Sequence, residues 1–319
     1  MAFRKPGEIR LGGKFLSYGR KATSKTTFLL SFPKIAAIDA EAGMSFYEGK
    51  PKGKNIVLVS NTQSFKDFEE DLDDIAENYE EYGVKTFGLD SATKVKENLE
   101  ETIMTIDEKR EKKKGKSADE TNLSIRSRGR IKYVNKKLQN LKIDLSTRGV
   151  NIVDIAQAKE IKEKQGDQFV TVGWEPDMQK GADHDYDVVL YHYTEPDGKG
   201  GVKFLARVDK DRLEVFKVGT IIENPSYEMW ASVLAENDGK EALNTSFVHQ
   251  VEEGKDKYEE EQDLDEKTWQ EKFGELLSKS TPEVKEAIQA KFKEAKIAGF
   301  DKLTPKKQEA LEAIYKEYA

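Results

Sequence analysis

No cysteine occurs anywhere in the 319-residue sequence, which excludes disulfides, thiolate metal sites and cysteine nucleophiles. Histidine is nearly as scarce, with three residues. His184, inside "ADHDYD" (182–187), has only His192 near it, and the spacing does not suit a closed zinc site. A polar turn entering a strand is the simpler reading. No apolar run approaches the roughly 18 residues of a membrane span. The opening "MAFRKPGEIRLGGK" also has no apolar h-region. These absences lead to the expectation of a cytoplasmic protein without a membrane partner. Neither a Ser–His–Asp arrangement nor a paired-carboxylate hydrolase signature stands out.

Charge is what the chain has in quantity. Its 53 basic and 60 acidic residues nearly cancel, to a formal −7. That total hides local contrasts and does not argue against nucleic-acid binding, which needs only a local basic face.

Through the first two hundred residues short apolar runs alternate with helix-like segments. "KFLSY" (14–18), "KIAAID" (34–39), "NIVLVS" (55–60), "VKTFGLD" (84–90) and "VNIVDIA" (150–156) read as strands. Helices are expected at 25–31, at 64–81 with apolar residues at 65, 68, 72 and 75, and at 129–145, after a long charged helix. Such alternation implies an α/β fold with a mostly parallel central sheet. Beyond residue 160, "QFVTVGW", "DYDVVLYHY", "GVKFLARVD" and "RLEVFKVG" read as a β extension, with a helix expected over 226–236. The boundaries expected are a core over 1–240, an acidic linker over 241–264 and a small C-terminal helical region over 265–319. In that last region Thr281–Pro282 and Thr304–Pro305 each supply a cap and an N1 proline.

The stretch "YGRKATSKTTFLLSFP" (18–33) nearly reads G-x-x-x-x-G-K-[ST], a phosphate loop, with Ser24 where the second glycine belongs. The nucleotide-binding set would be Gly19, Arg20, Lys21, Ala22, Thr23, Ser24, Lys25, Thr26 and Thr27. Serine is the smallest polar replacement and is expected to tolerate a helical first-turn φ; a strand–turn–helix with incidental lysines is the bland alternative. Asp39 and Glu41 in "AAIDAEAG" (36–43) and Asp90 in "TFGLDSAT" (86–93) follow strand ends. Open parallel sheets bind ligands there. Asp90 with Thr26 suits Mg²⁺, Glu41 suits orientation of an attacking water, and Gln157 is an amide beside the same crevice. Each acid read alone is equally a turn or cap residue.

In order and type these motifs resemble the RecA-like P-loop NTPase core, in particular the compact RecA-type ATPases of bacteriophages, over roughly residues 10–235. The resemblance implies ATP and Mg²⁺ as ligands, with Lys25, Glu41 and Gln157 as catalytic residues. It also implies Asp90–Ser91 as the Walker B pair, and Lys210 and Arg212 of "ARVDKDRL" (206–213) as finger residues reaching a neighbouring subunit. An ATPase acting on single-stranded DNA in phage recombination, annealing or replication follows, as a homo-oligomer in the host cytoplasm. Ser24 and the lack of an N-terminal polymerisation domain depart from the pattern and put hydrolysis and filament formation in question. A non-catalytic nucleotide-gated adaptor is the alternative, and residues 265–319 would recruit a single-strand-binding or replication protein.

Two basic stretches, "KREKKKGK" (109–116) and "SIRSRGRIKYVNKK" (124–137), suit phosphate contacts or a solvated helix face. Arg126, Arg128, Arg130 and Lys132 are the DNA-contact residues expected, on a mobile loop preceding a helix, with Tyr133 available for stacking. Residues 159–180 lie where the second DNA-binding loop of RecA-like cores would fall. Trp174 there reads as a base-stacking group or a core residue.

Overall fold

The computed structural model describes residues 7–113, 123–166, 168–236, 239–243, 246–247, 250–251, 268–297, 299–300 and 303–318. The chain divides into two compact units, Met1–Val248 and His249–Ala319.

In the first unit six strands run parallel: β1 (Lys14–Gly19), β2 (Ile35–Asp39), β3 (Ile56–Ser60), β4 (Thr86–Asp90), β5 (Asn151–Gln165) and, after the ribbon strand β6 (Gln168–Pro176), β7 (Val188–Pro196). Two antiparallel strands, β8 (Val202–Asp211) and β9 (Ile221–Glu223), extend one edge. The order is β3-β2-β4-β5-β1-β7-β8-β9, so β5 separates β1 from β4. This is a RecA-like P-loop fold. Strands β2 and β4 are buried on both faces, which is why each reads as an unbroken apolar run rather than an alternation.

Helices cover both faces. On one, α1 (Lys25–Leu30) packs Phe28 and Leu29 with Phe15, Val153, Leu190 and Trp230. On the other, α2 (Phe65–Asn78) and α4 (Ile125–Thr147) bring Phe68, Leu72, Leu138 and Leu145 onto Ile38, Phe87 and Ile152. Phe68, Leu72 and Ile75 of the α2 stripe are buried at the expected spacing, and Ser64 Oγ caps the helix by accepting from Asp67 N. The charged helix α3 (Ala92–Lys113) is tied to α4 through Asp107, whose carboxylate accepts from Ser124 N and Ser127 Oγ.

Four expectations change. Helix α4 begins at Ile125, capped by Ser124 accepting from Ser127 N at 3.1 Å, so Arg126, Arg128, Arg130 and Lys132 are helical and do not lie on a mobile loop. Strand β5 does not stop at Ala156. Its alternating polar continuation pairs antiparallel with β6, and the expected loop over 159–180 is largely a ribbon. "RLEVFKVG" is a turn. Asp211 accepts from Leu213 N and Phe216 N at 2.9 Å each, which bends the chain before β9. The helix expected over 226–236 is shorter: a 3₁₀ turn at Tyr227–Met229 and then α5 (Ala231–Ala235).

At the end of the first unit Glu241 bridges to Ile9, Leu243 N donates to Thr147 O, and Asp144 accepts from Ser246 Oγ and Phe247 N. Most of the acidic stretch expected as a linker lies outside the described residues. The second unit holds α6 (Trp269–Lys279), opened by a Thr268–Glu271 capping box, then α7 (Pro282–Glu294) and α8 (Pro305–Tyr318). Phe273, Ile288, Leu311 and Ile314 form its core, with Phe292, Phe300 and Tyr315 ringed about Phe273.

Candidate nucleotide-binding site

The C-terminal ends of β1, β2 and β4 meet the middle of β5, at Gln157, along one edge of the sheet. There β1 delivers Gly19 against β7 so closely that a Cβ would stand 2.3 Å from His192 O. Glycine is the residue that fits. The loop then turns through two L-residues in the left-handed region, Ala22 at φ 59° and Ser24 at φ 71°. Ser24 is thus not in the helical conformation expected of a first-turn serine. Its backbone is the one that glycine adopts freely in the motif, held here at a cost of about 1–3 kcal/mol. Successive residues of opposite backbone hand aim their N–H groups into a common concavity, the geometry of an anion nest.

Lys25 lies over that concavity. Its ammonium donates to Gly19 O at 3.1 Å and Arg20 O at 2.7 Å, closing the loop on itself. Burial pushes its pKa down, opposed by the nearby Asp90 and Glu41. Thr23 donates to Arg20 O at 2.8 Å from within the loop. Beneath it His192 is buried; burial, together with the Lys25 charge, pushes its pKa down to about 3, so the imidazole is neutral.

Thr26 Oγ1 donates to Asp90 Oδ2 at 2.6 Å, joining α1 to the end of β4. Asp90 is 7% exposed, and burial pushes its carboxyl up to about 6 against the help of Thr26. A hydroxyl beside one carboxylate is a hard-oxygen pair that fits Mg²⁺, which takes few protein ligands and completes its shell with phosphates and water. Among the described residues no cluster of three His, Cys, Asp or Glu side chains forms a protein-only metal cage.

Asp39 does a different job from Glu41. Its carboxylate accepts from Glu41 N, Gly43 N and Met44 N at 3.3, 3.1 and 2.6 Å, and so fixes the loop that carries Glu41. Glu41 is exposed, and its Oε1 accepts from Ser91 Oγ at 3.1 Å and Gln157 Nε2 at 3.5 Å. Gln157 lies where the buried part of β5 passes into the ribbon. Its N–H donates to Thr93 Oγ1, Thr93 Oγ1 donates to Asp177 O, and Asp177 N donates back to Gln157 O. Thr93 and Asp177 carried no role in the sequence reading. Thr93 stood inside the quoted "TFGLDSAT", but nothing local links it to Asp177, 84 residues on.

The remaining residues named from sequence are elsewhere. Lys210 donates to His184 O and Arg212 to Asp187, which also holds Lys14 at the start of β1. Within one chain both lie at the opposite end of the sheet from Gly19. Arg126, Arg128, Arg130 and Lys132 are exposed on α4 and have no hydrogen-bond or ion-pair partner among the described residues. Trp174 is half-buried and packs against the Tyr18–Tyr186–Tyr191 cluster, its ring 6.4 Å from Tyr191 and 5.6 Å from the Arg20 guanidinium of the loop.

No curated protein matches the chain. Among solved structures it is similar to the flagellar accessory protein FlaH from Methanocaldococcus jannaschii, at 13% identity over 68% of this chain and 87% of that one, with a TM-score of 0.38. The KaiC-like protein PH0186 from Pyrococcus horikoshii OT3 is also similar, at 13% identity over 67% and 86%, with a TM-score of 0.40. No helix among the described residues is long and apolar enough to cross a membrane. A family model described as an AAA domain matches residues 12–214, more than half of the chain, and with Lys25, Thr26 and Asp90 gathered on a P-loop core the protein belongs to the AAA domain family.

Proposed function

We propose that the protein is a Mg²⁺-dependent ATPase acting on single-stranded DNA in phage recombination, annealing or replication, and working as a homo-oligomer. One observation carries the enzymatic part: Lys25, the Thr26–Asp90 pair and Glu41 converge on one sheet edge, with Glu41 oriented by Ser91 and Gln157. The loop amides and the Lys25 ammonium bind the β- and γ-phosphates, replacing the Gly19 and Arg20 carbonyls as lysine partners. Thr26 and Asp90 would hold Mg²⁺, which when bound neutralises phosphate charge. Glu41 orients a water and accepts its proton, while Ser91 and Gln157 keep the carboxylate on line. Gln157 also joins the ribbon, so a shift of Glu41 on hydrolysis is passed to β5 and β6.

The DNA part is supported by Arg126, Arg128, Arg130 and Lys132 of α4, exposed and without a partner among the described residues. ATP turnover with and without single-stranded DNA, beside Lys25→Ala and Glu41→Gln, tests the whole. DNA-stimulated turnover that both substitutions abolish is the expected result. ATP binding without turnover in the parent overturns it in favour of a second reading, a nucleotide-gated adaptor. The left-handed Ser24 favours that reading, because it carries a side chain at a position where the motif has glycine.

A further inference from the structure

Behind Asp90, on the α3–α4 face, lies a cavity of about 380 Å³ that the nucleotide site does not use. That is near the small end of ligand sites, about 300–1,000 Å³. Leu89 and Ala92, which flank Asp90–Ser91, form part of its floor, with Val95 and Met178 beside them. Five lysines line it. Lys96 is paired with Asp177 at 2.7 Å, and Lys142 with Asp154. Lys132, Lys136 and Lys180 have no partner among the described residues, and the one carboxylate lining the cavity is Asp185. The amide side chains of Asn140 and Gln179, also in the lining, are likewise unpartnered.

The cavity is the end of a track. Arg128, Lys132 and Lys136 recur every fourth residue of α4, one above another on a single face, about 6 Å apart along the axis. A row of exposed cations at that rise can follow the phosphates of an extended strand. Apolar walls with amides and cations at the rim suit a flat heterocycle with polar edges attached to a phosphate. An acidic peptide would use the cations and leave the apolar floor unfilled.

We infer that this cavity takes one unstacked nucleotide of a single-stranded polynucleotide whose backbone runs along Arg128, Lys132 and Lys136, with Lys180 closing over the phosphate beside it. The inference rests on the DNA reading above and adds where the strand binds. Its consequence is coupling. An occupant touches the residues on either side of Asp90, and Lys96 links the same wall to Asp177 and so to Gln157 and Glu41.

The test is equilibrium binding of a short oligothymidylate to the full chain across a salt series, beside Lys136→Ala/Lys180→Ala. Both lysines are exposed, and circular dichroism reports whether the variant is folded. The double variant is expected to bind about tenfold or more weakly, with a log–log salt slope shallower by about 1.4, at 0.7 per lost phosphate contact on single strands. An abasic strand of equal length should lose about tenfold or more on the parent, and little further on the double variant. Unchanged affinity and slope in the double variant, equal binding of the abasic strand, or displacement of the strand by polyglutamate each overturns the cavity while leaving DNA binding intact. A parent that binds no strand overturns the DNA reading itself, and this inference with it.

Discussion

Asp90→Asn should make the ligand-free protein more stable while disabling it. Burial pushes the Asp90 carboxyl from 3.8 up to about 6, so its ionised form costs roughly 3 kcal/mol at neutral pH. The sign follows from linkage. A carboxyl that holds its proton more tightly folded than unfolded loses stability as pH rises from about 4 through 6, and carries the full penalty above that. Asparagine removes the charge and keeps an acceptor for Thr26 Oγ1, 2.6 Å away. Its new N–H group, left without a partner, takes back about 1 kcal/mol. The expected gain is therefore about 2 kcal/mol at pH 7.5, shrinking towards zero or below near pH 4. Urea unfolding in EDTA, without nucleotide and in a Trp269→Phe background, isolates the first unit, whose tryptophans are Trp174 and Trp230. With saturating Mg²⁺ and ATP the order should invert: the parent gains about 2.7 kcal/mol at a hundredfold excess over Kd, and the variant gains little. A variant less stable than the parent at pH 7.5 in EDTA, or a difference independent of pH, would refute the reasoning.

Three further outcomes are expected. Ser24→Gly relieves the left-handed serine at φ 71° and should add about 1 kcal/mol of stability while tightening ATP binding, read by urea unfolding and by nucleotide titration. Lys142→Met strips Asp154 of its buried cation, leaving a carboxylate with only Tyr186 beside it, and should cost about 3–5 kcal/mol. Lys142→Met/Asp154→Leu should recover most of that loss, as measured by the same unfolding curves. In the second unit Phe273→Ala removes the ring at the centre of the aromatic cluster and should cost about 3–5 kcal/mol of that unit's stability, followed by Trp269 fluorescence.

Legibility in the sequence was greatest where a signal was local. The strands that end in Gly19, Asp39 and Asp90 are continuous apolar runs because they are buried on both faces, and burial of that kind writes itself directly into composition. The pairing of Thr26 with Asp90 was legible for a similar reason: a parallel sheet sends every strand's C-terminus to one edge. The ribbon was partly hidden, since "AKEIKEKQ" has the polarity of a loop. Only its antiparallel match to β6 makes it a strand, and cross-strand pairing leaves little trace in one segment read alone. "RLEVFKVG" erred in the opposite direction. Leu213, Val215 and Phe216 pack on the core from a turn that Asp211 imposes. The α4 start was misplaced because Asp107, 17 residues before Ser124, supplies part of the cap.

The costs in this fold are not spread evenly. Left-handed L-residues also occur away from the site, at Lys34, Glu214 and Asn224, but Ala22 and Ser24 fall within five residues of Gly19, beside a carboxylate forced up to about 6 at Asp90 and a neutral histidine, His192, paired with Gly19. Elsewhere in the first unit Asp154 is paired with Lys142 and Asp187 with Lys14, while Asp71 Oδ2 and Asp154 Oδ1 are buried without a hydrogen-bond partner among the described residues. A sequence selected for stability alone would put glycine at 24 and a neutral residue at 90, since each change is small and local. Both costs would be offset by a bound polyanion with its cation: loop amides would find phosphate, and Asp90 a charge opposite to its own. The pattern therefore favours a site that still binds nucleotide over a decayed one. Whether it also turns nucleotide over depends on Glu41, the one site carboxylate left exposed, with Ser91 and Gln157 already aimed at it.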